Sequence, residues 1–135
     1  MKEKEKENLF ITFQQTIDSI IIDKQKNSKN EKLLNNFNAK INIGLEVEEN
    51  SYLWVNLVAK EGNYFLNRDR LEEFDLELMA CPEDLLFFSN GQNSTLNMMM
   101  KKNSYGQRKL RFSKGSNGKR NLGKLLKLSK ILVLD

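Results

Sequence analysis

The sequence contains no histidine and one cysteine among its 135 residues, and each shortage removes a class of function. Without histidine, the usual Ser–His and Cys–His nucleophile pairs cannot be assembled. The single thiol, Cys81, cannot close an internal disulfide, and a zinc site, which draws on several Cys and His, is excluded; a reducing, cytoplasmic setting is expected. No run of about 18 apolar residues is present to span a bilayer. Met1 to Glu7 (MKEKEKE) is a charge run rather than a signal peptide, so the expectation is a soluble, intracellular protein. There is no phosphate-cradling Gly-x-x-x-x-Gly-Lys and no dinucleotide fingerprint. The carboxylate pair Glu72 and Glu73 falls in a polar turn; Glu83 and Asp84 fall in a first helical turn, where capping explains them better than acid–base work. No catalytic residue, cofactor or metal is expected, and the chain does not read as an enzyme.

A further absence is of charge of one sign. From Leu85 to Leu134 there are eleven Lys and Arg and no Asp or Glu, although the whole chain carries a formal charge of only +4. A half-chain this basic is drawn to anionic partners, either a lipid surface or nucleic acid, unless it is simply a solvated surface.

What is present organises itself around Phe74 to Gly91, FDLELMACPEDLLFFSNG. Phe74, Leu76, Leu78 and Ala80 alternate with Asp75, Glu77 and Met79 as in a strand with one buried face. Pro82 then suits the first position of a helix, with Glu83 and Asp84 at its positive end and Gly91 as its stop. Cys81 sits at this junction, where a helix N-terminus can lower a thiol pKa, although a small buried hydrophobe is the plainer reading.

Upstream, residues 1–8 read as a flexible charged lead-in to a single domain over 9–135. Leu9, Phe10, Phe13, Ile17, Ile20 and Ile21 recur at helical spacing over three to four turns. A short second helix holds Leu33, Leu34 and Phe37. Strands follow over Ile41–Val47, Tyr52–Lys60 and Tyr64–Leu66 with short turns, which indicates antiparallel pairing with the Phe74 strand. Downstream, Ser94 can cap a helix through Leu96, Met98, Met99 and Met100; the methionines read first as ordinary core packing and, since their thioethers are flexible and three in a row cannot all face one way, alternatively as the wall of an adaptable apolar cavity. Lys109–Ser113 alternates as a fifth strand. The closing helix places Leu122, Leu125, Leu126 and Leu132 or Val133 on one face and Lys119, Arg120, Lys124, Lys127 and Lys130 on the other.

This order of elements resembles the sterol carrier protein-2 (SCP2) family of small lipid carriers. The resemblance is carried by DLELMACPEDLLFFSNG, by TLNMMMKK followed by KLRFSKG, and by the closing NLGKLLKL, and it spans about Asn38 to Leu128. Two departures stand beside it: Asn103 to Arg108 adds a loop before the last strand, and the chain ends Val133-Leu134-Asp135 rather than in the peroxisomal Ser-Lys-Leu. The resemblance implies an α+β fold, a five-stranded mostly antiparallel sheet packed by helices, with an apolar tunnel. It also implies non-enzymatic binding and transfer of fatty acids, acyl-CoA or sterol-like lipids. The expected cavity residues are Trp54, Leu78, Leu85, Phe88, Met98, Met99, Leu110, Phe112, Leu125 and Leu126. Anionic-membrane contact is expected from Lys101, Lys102, Lys119, Arg120, Lys124, Lys127 and Lys130. The alternatives are a ligand-free interaction or dimerisation module and a basic nucleic-acid-binding protein, the latter disfavoured because the bases are not interleaved with exposed aromatics. The oligomeric state is left open.

Overall fold

The computed structural model describes residues 1–89, 95–113 and 118–133. The elements run α1 (Glu3–Gln25), a 3-10 turn (Ser28–Asn30), α2 (Glu31–Asn36), β1 (Ala39–Glu48), β2 (Ser51–Lys60), β3 (Asn63–Arg68), β4 (Leu76–Ala80), α3 (Pro82–Ser89), α4 (Thr95–Met100), β5 (Arg111–Phe112) and α5 (Gly118–Leu132). Gly91 and Ser94, expected as a helix stop and a helix cap, lie outside the described residues.

The strands form one five-stranded sheet in the order β3-β2-β1-β4-β5. Two tight turns build the β1-β2-β3 meander through left-handed backbone at Asn50 in the first and at Glu61 and Gly62 in the second; Asn50 and Gly62 adopt it readily, whereas Glu61 does so at a steric cost. The sheet is mostly antiparallel, as expected, and the antiparallel pairing expected between the Phe74 strand and the meander is replaced at one place, since β4 runs parallel to β1, with Ile43 opposite Leu78. The cause is topological. The meander leaves the chain beyond β2, and residues 69–75 carry it back across the sheet to the free side of β1.

That crossing explains two polar residues in the middle of the strands. Asn56 on β2 donates to the Arg68 and Asp69 carbonyls at 3.3 and 2.9 Å. Asn42 on β1 donates to the Leu71 carbonyl at 2.9 Å and accepts from the Leu71 N–H at 2.8 Å. Both asparagines are buried, and they satisfy the crossing backbone where no strand partner exists for it.

One face of the sheet carries Ile41, Ile43, Leu45, Leu53, Val55, Leu57, Leu76, Leu78 and Ala80, all nearly inaccessible. The alternation predicted for β1, β2 and β4 points these side chains one way, and α1 and α5 pack over them with Phe10, Ile17, Ile21, Leu125, Leu128 and Ile131. Helix α1 is longer than the apolar stripe indicates. It begins at Glu3 rather than near Leu9, so most of the expected lead-in is helical. Arg68 on β3 holds Glu3 and Glu7 at 2.7 and 2.9 Å, and the N-terminal ammonium reaches Glu48. These pairs are open to solvent and stabilise the first turns only slightly. Gln14 adds a firmer tie by donating to the Leu66 carbonyl at 2.9 Å on the outer edge of β3.

The opposite face is covered by long side chains in place of helices. Trp54 lies over Gly44, where an added Cβ would stand 2.9 Å from the ring and 3.1 Å from Met79 Cγ. Arg70 stacks on Trp54 with its guanidinium carbon 4.6 Å from the ring centroid, and Arg111 stacks on Tyr52 at 5.8 Å. Each arginine also grips a fully buried glutamate: Arg70 bonds Glu77 through Nε at 2.7 Å and through Nη2, and Arg111 bonds Glu46 at 2.6 Å.

Burial pushes the Glu77 carboxyl upward, but hydrogen bonds from Arg70 and Asn42, with the Arg70 charge, outweigh it and hold the group below its ordinary value of 4.5. A folded pKa lower than the unfolded one contributes stability that is present above the unfolded value and is lost as pH falls through the folded one. Denaturant midpoints measured across that range should therefore drop on acidification, and Glu77→Gln should flatten part of the drop. An equal slope in both proteins would mean that Glu77 is not a contributor.

Candidate functional site

Helices α1 and α5 cover the apolar face of the sheet. Between them lies a cavity of about 30 Å³ lined by Phe13 and Ile17 of α1, Ile43 of β1, Leu78 of β4, Leu85 of α3, Met98 of α4, Leu110, and Leu125, Leu128, Ser129 and Leu132 of α5. The single hydroxyl among these is already spent, because Ser129 Oγ donates to the Leu125 carbonyl at 2.9 Å within its own helix. The wall thus offers apolar contacts and no charged side chain, which favours apolar contents and cannot compensate a buried charge.

Five of the expected residues converge on this space: Leu78, Leu85, Met98, Leu110 and Leu125. Met99 and Phe112 are half-buried and pack against the adjoining core without lining the cavity. Phe112 sits beside Leu78 in the sheet register, on the same face. Trp54 is elsewhere. The alternation that turns Leu53 and Val55 inward turns Trp54 outward, onto the Arg70 face of the sheet. Leu126 is also outside, 51% exposed, because a step of roughly 100° per residue takes it away from Leu125. Leu128 and Ile131 occupy the inward stripe in its place. The Phe88 side chain lies outside the described residues. The residues missed, Phe13, Ile17, Ile43, Leu128 and Leu132, all belong to the apolar stripes of α1, β1 and α5. The stripe is legible; that it borders a space is not.

The wall containing Met98 and Leu110 is fixed from behind. The Leu110 N–H donates to the Met98 carbonyl at 2.9 Å, and Lys109 donates to the Lys101 carbonyl at the same distance. Lys109 also reaches the buried Asp84 at the start of α3, at 3.5 Å. The loop added between α4 and β5 folds on Asn103, which accepts from the Tyr105 and Gln107 N–H groups at 2.9 and 3.1 Å. Cys81 beside it is buried, and burial followed by the charges of Glu83, Asp84 and Glu46 pushes its thiol up to about 11. The helix-start effect does not prevail, and Cys81 behaves as a buried hydrophobe.

Of the expected cationic residues, Lys101, Lys102, Lys127 and Lys130 are exposed, and Lys124 is half-buried and paired with Asp75 at 3.1 Å. The Lys119 and Arg120 side chains lie outside the described residues. Among the described residues, no helix is long and apolar enough to cross a membrane.

The fold is shared with solved structures of two sterol carrier proteins and of a ubiquinone synthesis protein. A crystal structure of sterol carrier protein 2 superposes with a TM-score of 0.58 at 10% identity, covering 88% of this chain and 92% of that one. The sterol carrier protein domain 2 of Helicoverpa armigera gives 0.60 at 16%, covering 86% and 84%. A ubiquinone synthesis protein described as UbiJ-SCP2 gives 0.63 at 8%, covering 98% and 93%. No family model matches the sequence, and no curated protein matches it.

Proposed function

Taking the sterol carrier protein 2 fold as premise, we propose that this protein is a non-enzymatic carrier that binds the hydrocarbon part of a lipid between α1, α5 and the sheet. The observation that carries the reading is the apolar cavity, lined from every layer of the fold and without an unspent polar side chain. Fatty acids, acyl-CoA and sterol-like molecules are the classes it would take, held by contact alone at roughly 0.8 kcal/mol for each CH₂ removed from water. A wall with no titratable side chain suits transport better than chemistry. A cytoplasmic site of action and contact with anionic membranes through Lys101, Lys102 and the basic side of α5 complete the reading.

The cavity volume of about 30 Å³ describes a closed form. Space on that scale takes a group about the size of a water molecule rather than a chain, so loading requires the helices to part and the flexible methionine wall to rearrange. The same small volume favours a second reading, a ligand-free interaction module whose interior is filled by its own side chains. Displacement of a fluorescent fatty acid separates the two. A carrier gives saturable displacement by acyl chains, acyl-CoA or sterols at micromolar concentration. Absence of displacement across that panel would leave the interaction module.

A further inference from the structure

Helix α5 has two jobs that meet in one residue. Its inner stripe, Leu125, Leu128 and Leu132, is one wall of the cavity. Its outer stripe, one helical face by spacing, runs through Gly123, Leu126, Lys127 and Lys130, all exposed. There is no acidic residue anywhere in α5 or in the sequence from Leu85 to Leu134. Leu126 is a large apolar side chain held outward between glycine and lysines, at 51% exposure. A basic stripe with one apolar residue at its centre is complementary to an anionic bilayer surface, where phosphates meet the lysines and the leucine enters the acyl boundary.

Lys124 stands on the flank between the two stripes. Its ammonium meets Asp75 Oδ1 at 3.1 Å, and both side chains remain about one-third exposed. Asp75 is itself fixed, because its other oxygen accepts from the Lys40 N–H at 2.8 Å and its own N–H donates to the Lys40 carbonyl at 2.8 Å. A partly exposed lysine is thus docked on a carboxylate held by the backbone of β1. A pair so open to water is weak and readily exchanged, unlike Arg111 on the fully buried Glu46. Gly123 lies one residue before Lys124, and a Cβ there would meet nothing within 4 Å. No close approach requires the glycine, and it lowers the intrinsic stability of the helix at that point.

We propose that the outer face of α5 docks on anionic lipid bilayers and that bilayer phosphates compete with Asp75 for Lys124, so that docking releases α5 and opens the cavity. The proposal rests on the lipid-cavity reading for its purpose, but its two measurements do not depend on a bound ligand. The first is flotation of the full chain with vesicles of phosphatidylcholine alone or mixed with phosphatidylglycerol. Binding should require phosphatidylglycerol and weaken as salt rises, and Lys127→Gln with Lys130→Gln should reduce it roughly 30-fold at low salt, from about one surface lysine's contribution each. The second is amide hydrogen exchange in α5, read by mass spectrometry. Exchange should rise several-fold on the mixed vesicles. Asp75→Asn, which keeps the acceptor for Lys40 and removes the charge, should show that faster exchange without vesicles, and Gly123→Ala should slow it.

Binding that ignores vesicle charge or survives the lysine substitutions would overturn the docking face. Exchange in α5 that is unchanged in Asp75→Asn would overturn the latch. Tighter capture of an oligonucleotide than of the mixed vesicles would make the basic stripe a nucleic-acid surface and overturn the proposal. If both measurements succeed while no fatty acid, acyl-CoA or sterol is displaced, the carrier reading fails and the docking face stands.

Discussion

Replacing Arg111 with methionine should destabilise the protein by about 3–5 kcal/mol, the range found when one partner of a buried ion pair is removed and the other charge is left in place. Glu46 is the charge left behind. Its side chain has no solvent exposure, and Arg111 supplies its shortest bond, 2.6 Å from Nη2 to Oε1. The remaining donors are weaker: the Asn50 N–H at 3.0 Å, Asn103 Nδ2 at 3.4 Å, and Cys81 Sγ at 4.0 Å. None of them carries a positive charge. Methionine keeps most of the side-chain length and its packing over Tyr52, so a loss of this size would come from the unpaired carboxylate rather than from a void. The paired change Glu46→Gln with Arg111→Met should recover most of it. Denaturant unfolding of the two single variants and the double variant measures this. A single-variant loss below about 1 kcal/mol would show that water reaches Glu46 as a surface group.

The position of this pair accounts for what the sequence did and did not disclose. Alternation in β1, β2 and β4 was readable because every inward residue is apolar, from Ile41 through Leu45 and from Leu53 through Leu57. The same alternation placed Asn42, Glu46, Asn56 and Glu77 on a face that reads as solvated, yet all four are buried. Their burial comes from the crossing segment 69–75, which carries Arg70, and from Arg111, distant in sequence from Glu46, and local periodicity carries no information about either. The parallel pairing of β4 with β1 was hidden for the same reason. The β5 strand was readable as alternation over Lys109–Ser113 but pairs only at Arg111 and Phe112, since the preceding residues bond to α4 instead.

Within the cavity, Leu78, Leu85, Met98, Leu110 and Leu125 could be named from the SCP2 resemblance together with the apolar stripes. Trp54 could have been set aside from the alternation of β2 alone, which puts it on the side of Tyr52. Leu126 needed the phase of α5, and a helix with leucines at 122, 125, 126, 128 and 132 leaves that phase underdetermined. The small volume of the cavity depends on how α1 and α5 pack against each other and the sheet, which no single element's pattern encodes.

Met98 is where closure and function can be tested together. It is 1% exposed, it lines the cavity, and its backbone carbonyl fixes Leu110 opposite it. Met98→Ala removes side-chain volume from a wall held in place by that hydrogen bond, so the wall cannot fully collapse into the gap. A loss of about 2–5 kcal/mol in the free protein is expected. If the space is a lipid site, the enlarged cavity should bind a fatty acid more tightly than the unmodified chain, because less rearrangement is needed before the chain enters. The ligand should then return part of the lost stability, about 2.7 kcal/mol when present at 100 times its dissociation constant. Thermal melts of Met98→Ala with and without oleate, beside displacement titrations of both proteins, give the comparison directly. Recovery of the melting temperature with tighter displacement supports a carrier caught in its closed form. A destabilised variant that oleate does not rescue, and that binds no better than its parent, would make Met98 plain core and move the protein to the interaction-module reading.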